Sequence, residues 1–208
     1  MDEIERSIQN YRIMPLVTLE RAEQAELLGK VLTECGLNIV EVTFRSEVAA
    51  EGIRILTDKF PQILTGAGTV LTIEQARSAI DAGAKFLLAP GLNPEIVRFC
   101  QERQIPFYPG CMTPTELDSA YRMGLHTVKI FPFAAMGGLP MLKAMAAPFG
   151  KMRFIVTGGI HNENLAEILA YDRILACGGS WLIDQKKLAA GDAEGMKTDI
   201  LNAVKCVK

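Results

Sequence analysis

Thr127-Val128-Lys129-Ile130-Phe131-Pro132 is a short apolar run with a lysine at its centre. Its length fits a parallel strand covered on both faces. Lysine is almost never fully buried unless it is paired, so Lys129 asks for a partner, for chemistry, or for both. A position near the strand end, or a structural ion pair, would meet the same demand without any reaction.

Runs of the same kind lie on either side of it. Downstream are Arg153-Phe154-Ile155-Val156 and Ile174-Leu175-Ala176-Cys177. Upstream are Ile13-Met14-Pro15-Leu16-Val17, Ile39 to Phe44, Ile63 to Gly68 (which ends in small residues), Phe86 to Ala89 and Phe107 to Gly110. The proline in the first run points to an irregular or edge strand.

Helical patterns separate the runs. Residues 1–11 read as a short amphipathic helix ahead of the first strand. Ala22, Ala25, Leu28 and Leu32 recur at helical spacing up to Cys35-Gly36, and Ile53, Leu56 and Phe60 do so in a helix from about Ser46 to Phe60. Thr72 with Gln75, and Thr113-Pro114-Thr115-Glu116, form capping boxes, and Asn93-Pro94 is an N-cap followed by proline at the first helical position.

Strand starts therefore fall near 13, 39, 63, 86, 107, 127, 153 and 174. Eight βα units at this spacing predict an α/β chain folded as a closed (β/α)8 TIM barrel with a short N-terminal helix. The 208 residues lie close to the ~200-residue lower limit of that fold, which implies one domain over 1–208. A doubly wound open sheet is the alternative. It needs fewer strands and another reason for the glycine turns late in the chain.

The composition is that of a protein able to bury a full core, 49% hydrophobic and 22% charged. A formal net charge of -2 and a pI of about 5.8 give no basic surface for nucleic acid or anionic membrane. No apolar stretch approaches the ~20 residues of a membrane span. The acidic start Met1-Asp2-Glu3 lacks a signal-peptide core, and five scattered cysteines without a C-x-x-C favour reduced thiols, so a cytoplasmic location is expected. His126 and His161 make no metal-ligand spacing, so neither a metal nor another cofactor is expected.

A barrel of this kind carries its active site at the C-terminal ends of the strands. Glu41 on strand 2 and Lys129 on strand 6 face each other across the ring, and pairing lowers the desolvation cost of each charge. A buried salt bridge without chemistry remains the alternative for that pair alone. Thr157-Gly158-Gly159-Ile160 and Gly178-Gly179-Ser180-Trp181 follow strands 7 and 8, the usual phosphate position of the fold. Gly158, Gly159, Gly178 and Gly179 let the backbone approach an anion, and Ser180 adds a hydroxyl. Arg45 lies on the Glu41 face of strand 2, where a guanidinium can hold a carboxylate by two parallel hydrogen bonds; a solvated surface charge is the other reading. Thr69 offers a hydroxyl at the end of strand 3. Pro90 and Phe131, at the ends of strands 4 and 6, would either wall a pocket or pack in the core.

Seven stretches, taken in order, resemble one family. They are Glu41-Val-Thr-Phe-Arg45, Gly66-Ala-Gly-Thr-Val70, Ala89-Pro-Gly91, Pro109-Gly-Cys-Met-Thr-Pro114, Lys129-Ile-Phe-Pro132, Thr157-Gly-Gly-Ile160 and Gly178-Gly-Ser-Trp181. Together they look like the 2-keto-3-deoxy-6-phosphogluconate (KDPG) / 4-hydroxy-2-oxoglutarate (KHG) aldolase family. The resemblance covers nearly the whole chain. It implies a metal-free class I aldolase, usually a homotrimer, that releases pyruvate and glyceraldehyde 3-phosphate from KDPG. Pyruvate and glyoxylate from KHG, or cleavage of the galactonate epimer of KDPG, are the alternatives within the family. More distant ones are a phosphosugar isomerase and a non-catalytic phosphosugar-binding barrel.

The resemblance makes Lys129 the Schiff-base lysine and Glu41 the general acid/base. It makes Arg45 and Thr69 the binders of the pyruvate carboxylate. Pro90, Phe131 and Thr157 would line the pocket, and Gly158, Gly159, Gly179 and Ser180 would meet the phosphate. Phe44, Phe133-Ala134-Ala135-Met136 and His161 depart from the commonest family pattern, at loops around the mouth.

Overall fold

The computed structural model describes residues 1–207. Helix α1 (Glu3–Tyr11) starts at Asp2, whose carboxylate accepts the Glu5 N–H, and ends where Arg12 turns into the left-handed region at φ 64°. The units that follow are β1 (Ile13–Val17), α2 (Gln24–Glu34), β2 (Ile39–Thr43), α3 (Ala49–Lys59), β3 (Leu64–Gly68) and α4 (Ile73–Asp81). Then come β4 (Leu87–Leu88), α5 (Pro94–Glu102), β5 (Phe107–Tyr108), α6 (Pro114–Arg122), β6 (Thr127–Ile130) and α7 (Gly138–Ala146). The chain continues through β7 (Arg153–Thr157), α8 (Asn162–Leu169), β8 (Ile174–Gly179), α9 (Gln185–Ala190) and α10 (Ala193–Lys205).

The expected caps form. Thr72, Asn93 and Thr113 accept the backbone N–H groups of Gln75, Glu95 and Glu116. Each supplies an acceptor to a donor that the first helical turn leaves free.

All eight strands are parallel, in the order β5-β4-β3-β2-β1-β8-β7-β6. The ring closes between β5 and β6. There Lys129 N–H donates to the Pro109 carbonyl at 2.9 Å, and the Lys129 carbonyl accepts from Cys111 N–H at 2.9 Å. This is the (β/α)8 barrel that the strand spacing predicts, and not an open doubly wound sheet. All positions of β2 and β6 are buried, as expected for a parallel sheet lined by helices.

The edge position suggested by Pro15 is corrected. Strand β1 lies between β8 and β2. Pro15 is in register with Gly179, and the β1–β2 pairs are Leu16↔Glu41 and Val17↔Val42, after the proline. The missing N–H therefore costs no ladder bond there.

Strands β4 and β5 are shorter than their apolar runs. Pro90, Pro106 and Pro109 flank them and have no N–H to give to a ladder. Below the ring, Ile8 of α1 is fully buried, and the Thr127 hydroxyl donates to the Glu5 carboxylate. Helix α1 thus covers the end of the barrel opposite the C-terminal strand ends.

No helix among the described residues is long and apolar enough to cross a membrane.

Candidate active site

Strand β6 holds Lys129 by its backbone on both sides: β5 through the two hydrogen bonds above, and β7 through the pair Lys129↔Ile155. Its side chain crosses the barrel to Glu41 of β2. Nζ lies 3.1 Å from Glu41 Oε1, with the two side chains 5% and 0% exposed. Two charges so deep in an apolar ring are tolerable because each is the other's partner. Glu41 is fixed in turn by register, with Leu16 on one side and Gly66 on the other.

Two polar atoms near this pair have no protein partner among the described residues: Glu41 Oε2 and the Thr157 hydroxyl, both buried. An unpaired buried acceptor costs about 1–3 kcal/mol, so both are poised for a ligand or water.

Above the pair opens a cavity of about 260 Å³. Lys129 lines its floor, and Arg45, Thr69, Pro90, Phe131, Thr157, Gly158, Gly159, Gly179 and Ser180 line the rest. The fold therefore gathers every sequence-derived site residue but Glu41 around one space, and Glu41 sits just beneath it on Lys129. Pro90 and Phe131 lie in the cavity wall and not in the core. The Lys129 ammonium lies 6.0 Å from the Phe131 ring centroid. Arg45 is exposed at the rim and makes no ion pair within the described residues, so its guanidinium is available to an anion.

Thr69 adopts φ 56°, a left-handed conformation that a β-branched residue rarely takes. Such strain costs about 1–3 kcal/mol and persists where surrounding structure over-determines it. Here Val70 N–H donates to the Leu88 carbonyl at 3.1 Å, so the turn is anchored while Thr69 faces the cavity.

The glycine turns meet at the same rim. Gly158 and Gly159 have φ 100° and 74°, and a Cβ on Gly159 would stand 2.4 Å from the Ala134 Cβ. Gly179 is extended, and the Trp181 ring fills the space beside it, 2.4 Å from where a Cβ would be. Ser180 opens a single short turn, Ser180–Leu182. The two turns are linked by side chains. Trp181 Nε1 donates to Asn162 Oδ1 at 3.1 Å, and Asn164 Nδ2 donates to the Gly159 carbonyl at 3.0 Å.

No group of three or more His, Cys, Asp or Glu side chains that could hold a metal ion gathers among the described residues.

Residues 4–198 match the model of a family described as "KDPG and KHG aldolase". The chain belongs to the KDPG and KHG aldolase family. Among its relatives in this family is a 2-dehydro-3-deoxy-phosphogluconate aldolase of Treponema pallidum, 46% identical over 186 residues, 89% of each chain. The fold matches that of the Legionella pneumophila KDPG aldolase holding pyruvate as a covalent carbinolamine, with a TM-score of 0.92 and 32% identity over 96% of this chain and 97% of that one. It also matches the Zymomonas mobilis KDPG aldolase with 3-phosphoglycerate, with a TM-score of 0.90 and 31% identity over 97% and 94%.

For a KDPG and KHG aldolase chain, the sequence reading gives no role to Leu16, Ile160 and Trp181, all of which line the cavity. Ile160 and Trp181 each close a quoted glycine motif, and that is the available signal. Leu16 looks like a core residue in any pattern; only the closed ring turns it to the mouth.

Proposed function

We propose that this chain is a class I aldolase that cleaves 2-keto-3-deoxy-6-phosphogluconate to pyruvate and glyceraldehyde 3-phosphate, with Lys129 forming the Schiff base and Glu41 as general acid/base. The observation that carries this reading is the Lys129–Glu41 pair, 3.1 Å apart on the floor of a cavity rimmed by two glycine turns. Breaking the C3–C4 bond leaves a carbanion at C3. A ketone at C2 stabilises it poorly, and a protonated imine does so far better.

Lys129 attacks C2 as the neutral amine, and the Glu41 carboxylate is within reach of the proton it sheds. Glu41 returns that proton to the C2 hydroxyl of the carbinolamine, which leaves as water, giving the protonated imine and freeing the carboxylate. Glu41 then takes the C4 hydroxyl proton, directly or through a water, as C3–C4 breaks. The aldehyde departs, the enamine is protonated at C3, and hydrolysis of the imine frees pyruvate. Arg45 and Thr69 hold the carboxylate so that C2 faces Nζ, which is mainly an orientation effect. Pro90, Phe131 and Thr157 wall the chain of the substrate. Gly158, Gly159, Gly179 and Ser180 present backbone N–H groups and a hydroxyl to the phosphate. We take the working assembly to be the homotrimer that the family resemblance implies, which light scattering checks.

The test compares pyruvate release from KDPG, its galactonate epimer and KHG by kcat/KM. A clear preference for KDPG supports the proposal. Equal use of KHG would mean that the turns after β7 and β8 add little transition-state binding, and the enzyme is then a hydroxy-oxoglutarate aldolase. In parallel, Lys129→Met is expected to abolish both turnover and borohydride trapping of pyruvate. Trapping that survives in this variant would assign the imine to another lysine.

A further inference from the structure

Strand β3 reads Leu64-Thr65-Gly66-Ala67-Gly68, and its two glycines share one face because side chains alternate along a strand. Each gives its place to a side chain from another strand or loop. A Cβ on Gly66 would stand 2.2 Å from the Phe86 ring. A Cβ on Gly68 would stand 1.9 Å from Glu41 Oε1 and 2.5 Å from both Cδ and Cγ of the same residue. No real Cβ approaches that closely, so with a side chain at position 68 the buried Glu41 carboxylate would have to shift. Gly68 has no left-handed φ, so backbone conformation does not demand glycine here. The space does.

We propose that Gly68 is a positioning residue: the missing side chain forms the seat that holds the Glu41 carboxylate against Lys129. The inference rests on the aldolase reading given above. The seat fixes one oxygen, Oε1, on Nζ and leaves Oε2 without a protein partner, the oxygen that can exchange a proton with substrate. A methyl group at position 68 would push the carboxylate off this line. Lys129 would remain on its own strand, held by β5 and β7.

The effect is therefore selective. In Gly68→Ala, borohydride trapping of pyruvate is expected to continue, because the amine is still in place. Exchange of the pyruvate methyl protons with D2O and cleavage of KDPG are expected to fall together by about 100-fold or more, the scale of a lost general acid/base. A loss of fold alone would lower trapping as well, so the split separates positioning from general damage. Exchange at the wild-type rate in Gly68→Ala would overturn the proposal.

Thermal melts give a readout that needs no activity. Gly68→Ala is expected to lower Tm. In a Glu41→Ala background, where the clashing atoms are gone, the same substitution is expected to cost a small fraction of that drop. Equal costs in both backgrounds would show that Gly68 serves something other than Glu41, and would overturn the proposal even if Gly68→Ala folds too poorly to assay. If wild-type protein does not trap pyruvate, the aldolase reading fails, and the melting cycle still decides whether Gly68 seats Glu41.

Discussion

Lys129 and Glu41 were awkward residues separately and became one unit when the ring closed. A buried lysine and a buried glutamate each carry a desolvation penalty that a 3.1 Å contact offsets. The roles proposed for them separate cleanly in variants. Glu41→Gln keeps the shape of the side chain and removes its proton-accepting charge. The expected result is a kcat for KDPG cleavage lower by about 10²–10⁴-fold with pyruvate still trapped by borohydride; near-normal turnover would remove Glu41 from the mechanism. At the rim, Arg45 is expected to grip a carboxylate with a planar fork. Arg45→Lys retains the charge and loses the second parallel bond, so KM should rise roughly tenfold, the worth of about one charge-assisted hydrogen bond, with kcat little changed. A KM equal to wild type would mean that the guanidinium is only a solvated charge.

At the scale of the element, helices α4, α5 and α6 each begin at a side-chain cap shortly after a strand, and this fixes where those loops end. Thr113 shows how local the device is. Its hydroxyl accepts the Glu116 N–H at 3.2 Å, and the Glu116 carboxylate reaches back to the Met112 N–H at 2.8 Å. The expected effect of Thr113→Ala is a loss of about 1 kcal/mol in urea unfolding, with pyruvate trapping unchanged, because the cap touches no cavity residue. Trapping that falls along with stability would show that the β5–α6 loop feeds the site. Boundaries were the least legible feature at this scale. Helix α3 starts at Ala49 and not at Ser46, and β4 and β5 keep only two ladder residues each. Prolines on their flanks shorten these strands, and only the neighbouring strand shows which N–H groups a ladder would have used.

Across the whole molecule, the barrel buries groups that water would rather ionise. Burial pushes the thiols of Cys100, Cys111 and Cys177 up, to about 11, about 12 and about 12, from an ordinary 9.0. Burial, with Asp2 and Glu5 adding to it, also raises the Tyr108 phenol. These folded-state values lie above the unfolded ones, so the unfolded chain loses protons first as pH rises. The associated stability is complete below pH 9 and is lost as pH climbs through the folded values. The urea midpoint should therefore be independent of these groups at neutral pH and decline steadily above about pH 9. A midpoint that holds to pH 11 would contradict the burial of these groups. For the same reason, thiol reagents at neutral pH should spare Cys100, Cys111 and Cys177 in the native protein and reach them only in denaturant.

Period and punctuation in the sequence determined the architecture. Eight apolar runs, each followed by a helical pattern, admit few arrangements, and a right number of short crossovers closes a parallel ring. The same ordered motifs determined which residues to suspect, from Glu41 to Ser180. What they left open were relations between residues distant in the chain. Pro15 read as an irregular or edge strand, and its strand lies inside the sheet, where the β1–β2 pairing starts one residue after the proline. Arg45, Pro90 and Phe131 lie far apart in the chain, and only the folded ring brings them to one cavity. Gly68 read as a small residue at the end of a strand, yet it lies where the Glu41 carboxylate leaves no room for a side chain. Periodicity reports which face of its own element a residue takes. Contact across the barrel depends on the register and closure of all eight strands together, and these exist only once the chain has folded.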